Sequence, residues 1–128
     1  MAIRIVRLGS PRAAGEVLRL GTVRRPPRGV PKSRFATGNW YDVWFPVLAP
    51  SHATLKLRRS VDSAAGWRRF ARRYCSEMKR PEATQALDFL AALSRRTNLS
   101  VGCYCEDESR CHRSLLRELL VARGARVR

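Results

Sequence analysis

The stretch Val101–Leu120, VGCYCEDESRCHRSLLRELL, decides how the rest of the chain is read. Leu99, Val101 and Cys103 alternate as a buried strand does, and Ser114 to Val121 is a helical run. Leu115, Leu116, Leu119 and Leu120 form an i, i+1, i+4, i+5 stripe that buries one side of that helix. Between the two lies a short acidic loop around Glu106, Asp107 and Glu108. The expectation is a strand, a loop and a helix whose first turn carries Cys111, His112 and Arg113. Cys103, Cys105, Cys111 and His112 fall close together there, three of the chain's 4 cysteines and one of its 2 histidines. Any chemical site is expected at this junction.

The first turn of a helix has N–H groups without partners and a partial positive charge, so it attracts anions and favours a thiolate. Beside His112 and Arg113, Cys111 is expected to titrate low. Arg113 and Arg117 are four apart and can reach one ligand, with Ser114 in the same turn. Cys103 and Cys105, two apart on a strand, project to the same side, and Cys105 lies nearer the loop.

Four readings of these residues compete. In the first, the cysteines are small buried hydrophobes. In the second, Cys111 and His112 are catalytic or ligand-binding together with Arg113 and Cys105. The third is zinc held by Cys103, Cys105, Cys111 and His112. Strand residues two apart are about 6.6 Å apart, whereas two sulfurs on one tetrahedral zinc are separated by about 3.8 Å, which weighs against it. The fourth is a phosphatase-like C-x5-R loop from Cys111 to Arg117. Such a loop needs a backbone cradle for phosphate, and Leu115 and Leu116 occupy that place. The first two readings stay open.

Working outward, Pro81 suits the first position of a helix, with Glu82 in its first turn. The stripe Ala83, Ala86, Leu87, Leu90, Leu93 carries this helix to about Arg96. Ser63 to Lys79 is a second helix. Trp67, Phe70, Ala71, Tyr74 and Met78 form its core face, opposite Arg68, Arg69, Arg72, Arg73 and Arg80. Cys75 sits at the edge of the apolar face as a packing residue. Ala2 to Leu8 and Glu16 to Val23 read as strands. Arg24 to Phe35, RRPPRGVPKSRF, is too rich in proline to be a regular element and reads as a basic loop able to fold over an anion. Residues 24–52 form one long basic and aromatic loop region, with Trp40, Tyr41, Trp44 and Phe45 as base-stacking or core-anchoring candidates. Gly124 stops the last helix, and Ala125 to Arg128 is expected to fray.

The chain of 128 residues is expected to form one domain, 1–128, with a proper core. Lys plus Arg is 26 against 10 acidic residues, a formal net charge of +16, and the field favours polyanions such as nucleotides or nucleic acid. A coding bias toward arginine would give the same excess, so charge alone names no partner. No apolar run approaches the ~18 residues of a membrane span, so no membrane partner is expected. The start MAIRIVRLGS lacks a signal-peptide pattern, and the clustered cysteines do not resemble a secreted disulfide framework. A reducing cytoplasm is the expected home.

Four pieces in order carry a family likeness: Pro27-Arg28-Gly29 with Lys32; Trp44 with Ala49-Pro50-Ser51; Trp67, Phe70 and Tyr74; and Cys103-Tyr104-Cys105 with Cys111-His112-Arg113-Ser114-Leu115-Leu116. In these the chain resembles the YeaO-like branch of the proteins with domain of unknown function 488. The resemblance implies a small α/β domain of three-layer, Rossmann-like character whose C-x-C strand and C-H-R helix flank a shared site. It implies no particular reaction. Similar proteins often carry Asp before the arginine that ends the second strand, whereas this chain has Val23 before Arg24. A role resting on that carboxylate is absent here.

The sequence thus points to an α/β domain with a partly parallel sheet, binding a phosphate-bearing nucleotide or nucleic acid at the start of the last helix. Arg113, Arg28, Arg24 and Arg117 would neutralise phosphate, His112 would donate a hydrogen bond or transfer a proton, and an ionised Cys111 would be a nucleophile. Two alternatives remain: an enzyme using Cys111 or His112 on a nucleotide-like substrate, and a basic module acting through its arginine helix face alone. No cofactor is expected; zinc would be the only metal.

Overall fold

The computed structural model describes residues 1–128. The strands are β1 (Ile3–Arg7), β2 (Leu18–Gly21), β3 (Val43–Trp44) and β4 (Leu99–Cys103); the α-helices are α1 (His52–Leu55), α2 (Ala64–Glu77), α3 (Pro81–Leu93) and α4 (His112–Ala122). The sheet runs β1-β4-β2-β3. Every neighbouring pair is parallel, so the sheet is wholly rather than partly parallel. This is an α/β, Rossmann-like architecture. No helix is long and apolar enough to cross a membrane.

Alternation along the strands sorts the two faces. Ile3, Ile5, Leu18, Leu20, Leu99 and Val101 face the helices and share one core with Phe70, Tyr74, Leu87, Leu90, Leu116 and Leu120. The α2 face predicted from periodicity is the one buried, and Arg68, Arg69, Arg72 and Arg73 are exposed. Ser63 caps α2 by accepting from the Gly66 N–H at 3.0 Å. Pro81 opens α3 as expected. That helix ends at Leu93 instead of Arg96, and residues 94–97 form a turn.

The opposite face of the sheet is covered by loops, so the third layer contains no helix. Gly21 and Gly102 make this possible. A Cβ on Gly21 would meet the Tyr41 ring at 2.4 Å, and one on Gly102 would meet the Val6 carbonyl oxygen at 2.5 Å. Arg19, fully buried on this face, donates to Glu16 Oε2 (2.8 Å), Ser10 O (2.8 Å) and Asn39 O (2.9 Å). Asp42 accepts from the Arg19 backbone N–H and from both terminal nitrogens of Arg12. One network therefore pins both covering loops to β2.

Two expectations need correcting. Residues 24–52 are not a continuous loop: they contain a 3-10 turn at Lys32–Arg34, strand β3, and a second 3-10 turn at Pro46–Leu48. Residues 125–128 do not fray. Ile3 donates its N–H to Arg126 O, Arg128 donates to Ile3 O, and Val127 bridges Ile3 in parallel, which covers the free edge of β1.

Candidate functional site

In a parallel sheet, the loops leaving the carboxyl ends of the strands converge on one edge, where ligands bind. Here the loops after β1, β2 and β4 line a cavity of about 750 Å³. That size is in the range of small-molecule sites. Arg7, Arg24, Arg25, Arg28, Arg58 and Arg110 all line it, and no Asp or Glu does. Among the six, only Arg7 forms an ion pair, a 3.4 Å contact to the exposed Glu106. Trp40 and Tyr104 stand edge to face in the wall, ring centres 6.0 Å apart, and the Tyr104 hydroxyl donates to Arg25 O at 2.8 Å. Arg110 stacks on the Trp67 ring at 5.6 Å.

The floor is the cysteine–histidine junction. β4 ends at Cys103, a 3-10 turn at Glu108–Arg110 follows, and Cys111 is the N-cap of α4. Cys103 Sγ lies 2.8 Å from Cys111 Sγ, and Cys111 Sγ lies 3.6 Å from His112 Nδ1. His112 Nε2 donates to Thr22 O at 2.8 Å, so Nδ1 presents its lone pair to the sulfurs. The three donor atoms lie within 4.8 Å of one another, all in buried residues, and the cluster can hold a metal ion. The Tyr74 ring packs tilted against His112, ring centres 5.4 Å apart, which ties the α2 core face to the junction.

Titration behaviour differs from the sequence expectation. The low thiol is Cys105, not Cys111. Hydrogen bonds from Cys103 and Cys111 hold Cys105 well below the usual thiol range against the effect of burial, and Arg58, donating at 2.9 Å, adds to this. For Cys111 the Cys103 contact pulls down, but Cys105 and burial outweigh it and leave the thiol above its ordinary value. Burial brings His112 down to about 4, against the Thr22 hydrogen bond, so its ring is neutral near pH 7.

The predicted site residues divide. Cys105, Arg24, Arg28, Cys111 and His112 line the cavity, with Cys111 and His112 on its buried floor. Arg24 also donates to the carbonyls of Pro46, Ala49 and Pro50, which fixes the segment beside it. Arg113 does not line the cavity; it is buried behind the sulfurs and donates to Cys105 O. Ser114 Oγ donates to Cys111 O and also lies off the cavity. Arg117 is likewise outside, bonded through two nitrogens to Glu108 at 2.9 and 3.0 Å. The four-residue spacing had placed it beside Arg113 on the ligand, but the acidic turn claims it first. Arg25 belongs to the basic loop read as able to fold over an anion, but sequence reading missed Arg7, Arg58 and Arg110 as lining groups; nothing in their local sequence separates them from the other arginines. Val23 is buried with Leu8, Tyr41, Cys103 and Cys111.

The objection to a fourth sulfur near this cluster also changes. The strand stops at Cys103, so Cys105 lies in the turn beyond it and the extended-strand separation does not apply. No curated protein and no solved structure matches the chain. Over residues 3–124 it matches the family model DUF488-N3a, described as the active DUF488-N3 subclade, and with nearly its whole length covered the chain belongs to the DUF488 family.

Proposed function

We propose that this protein binds a phosphate-bearing ligand, a nucleotide or a nucleic-acid end, in the arginine-lined cavity. One observation carries the reading: six arginines line the cavity and no carboxylate does. Guanidinium groups without a protein counter-ion form a site for an anion, and their planar forks match phosphate oxygens. Arg25 and Arg28 are the principal phosphate contacts, because Arg24 is already committed to backbone carbonyls and Arg58 to the Cys105 sulfur. Trp40 and Tyr104 supply aromatic faces for a base, which favours a nucleotide over free phosphate. The 4 unbridged cysteines suit a reducing cytoplasm.

A calorimetric titration at low salt tests this, comparing a nucleoside 5′-monophosphate with the matching nucleoside. The nucleotide is expected to bind at least roughly tenfold more tightly, with affinity falling as salt rises. Equal affinity for the two, or no binding of either, overturns the reading.

A second reading is favoured by the α2 surface, where Arg68, Arg69, Arg72 and Arg73 are exposed and none is in an ion pair. That face would contact a nucleic-acid backbone without using the cavity.

A further inference from the structure

We propose that Cys103, Cys105, Cys111 and His112 bind a zinc ion that ties the end of β4 to the start of α4 beneath the cavity. Three donors are already gathered: the sulfurs of Cys103 and Cys111 and Nδ1 of His112, all in buried residues and within 4.8 Å of one another. Cys105 follows two residues beyond Cys103, outside the group of three donors within 4.8 Å, and closes on the ion as the fourth ligand when the turn adjusts. Three soft sulfurs and one imidazole nitrogen form a donor set that selects zinc among the common divalent ions.

The surroundings suit a metal in two further ways. A ligating histidine usually donates its other ring N–H to a carbonyl or carboxylate, which fixes the tautomer and aims the lone pair at the ion. His112 does this through Nε2 to Thr22 O at 2.8 Å. The second is charge. Arg113 is 3% exposed, forms no ion pair, and its Nε has no hydrogen-bond partner. The chain's other deeply buried guanidinium, Arg19, is matched by the buried Glu16 carboxylate. A buried cation without a counter-ion is costly. Zinc with three thiolates carries one net negative charge, and Arg113, whose guanidinium neighbours Cys103 and Cys111, lies against it. Arg58 contacts the fourth ligand, Cys105, from the cavity side.

Binding requires a small adjustment. The Cys103 and Cys111 sulfurs, now 2.8 Å apart, must separate to about 3.8 Å, the spacing of two sulfurs on one tetrahedral zinc. Each coordinating thiol releases its proton to solvent, and no electron is transferred. With four protein ligands the site is closed, so the ion holds the cavity floor in shape and adds no open coordination position. The proposal does not depend on the phosphate reading, because metal content is measured without any ligand.

The test uses the full chain purified under reducing conditions without metal-affinity steps. Elemental analysis is expected to give about one zinc per chain. Cobalt(II) exchange is expected to give intense visible bands of tetrahedral coordination together with thiolate-to-cobalt charge transfer. Cys75→Ser, which changes the cysteine outside the cluster, is expected to retain the metal, and Cys111→Ser to lose most of it. Because Cys111→Ser can lose metal merely by misfolding, the cobalt spectrum of the unaltered chain is the decisive reading. A metal-free chain whose cluster thiols stay reduced overturns the proposal. So does a Cys103–Cys111 disulfide found by mass spectrometry, or a weak octahedral cobalt spectrum.

Discussion

Arginine appears in two contrasting settings on this small domain. On the loop-covered face of the sheet, Arg19 and Arg12 are matched group by group with Glu16, Asp42 and backbone carbonyls. At the carboxyl edge of the same sheet, six arginines line a cavity that contains no carboxylate. The first set is structural: its charge is cancelled and its geometry holds loops in place. In the second only Arg7 meets a carboxylate, the exposed Glu106, and in the proposed function a ligand would supply the missing anion. A net charge of +16 is therefore not matched evenly by protein partners over the molecule.

The largest effect expected on breaking this contrast is in the paired region. Glu16→Ala leaves Arg19 as a buried cation without its carboxylate and is expected to cost about 3–5 kcal/mol of folding stability, measured by chemical denaturation. A cost below about 1 kcal/mol would show that the network does not hold the fold. In the cavity the outcome is expected to be reversed. Arg28→Ala, at an exposed residue without a protein partner, should change stability by no more than about 0.5 kcal/mol while weakening nucleotide binding roughly tenfold. If stability falls and binding holds, the two regions have been assigned the wrong way round.

Acid sharpens the same distinction. Burial pushes the carboxyls of Glu16 and Asp42 up, but Arg19 and Arg12 outweigh it and leave both below their ordinary values. A carboxylate lowered on folding contributes stability above its unfolded pKa and loses that contribution as pH falls through the lowered one. Stability should therefore decline below about pH 4.5, and a Glu16→Gln variant should show a shallower decline across that window. Equal slopes would mean that other groups carry the acid sensitivity. The smallest expected effect is at Arg117. Its pairing with Glu108 lies outside the cavity and is partly exposed, so Arg117→Ala should cost below about 1 kcal/mol and leave nucleotide affinity unchanged. A clear loss of affinity would return Arg117 to the site.

What could be read from the sequence follows from how local each signal is. The strand, loop and helix around Cys103–His112 were legible because periodicity and capping act within a few residues. The apolar face of α2 was legible for the same reason. Strand β3 and the bridge at Val127 were not, since two residues and one residue carry no period and both depend on a partner strand far away in sequence. Arg7, Arg58 and Arg110 were invisible as a group because loops from different parts of the chain bring them together only in the fold. The expected low thiol moved from Cys111 to Cys105 because the coupling among the three thiols, formed only in the fold, favours charge on Cys105, and Arg58 adds to it. The strand-spacing argument against zinc fell away because β4 ends at Cys103 and Cys105 lies beyond it.

The most direct test of the contrast is a crystal structure of the protein with a nucleoside 5′-monophosphate bound. The account predicts phosphate density between Arg25 and Arg28, with the base against Trp40 or Tyr104. Phosphate found on the exposed α2 face at Arg68 and Arg72, with the arginine-lined cavity holding only water, would contradict it.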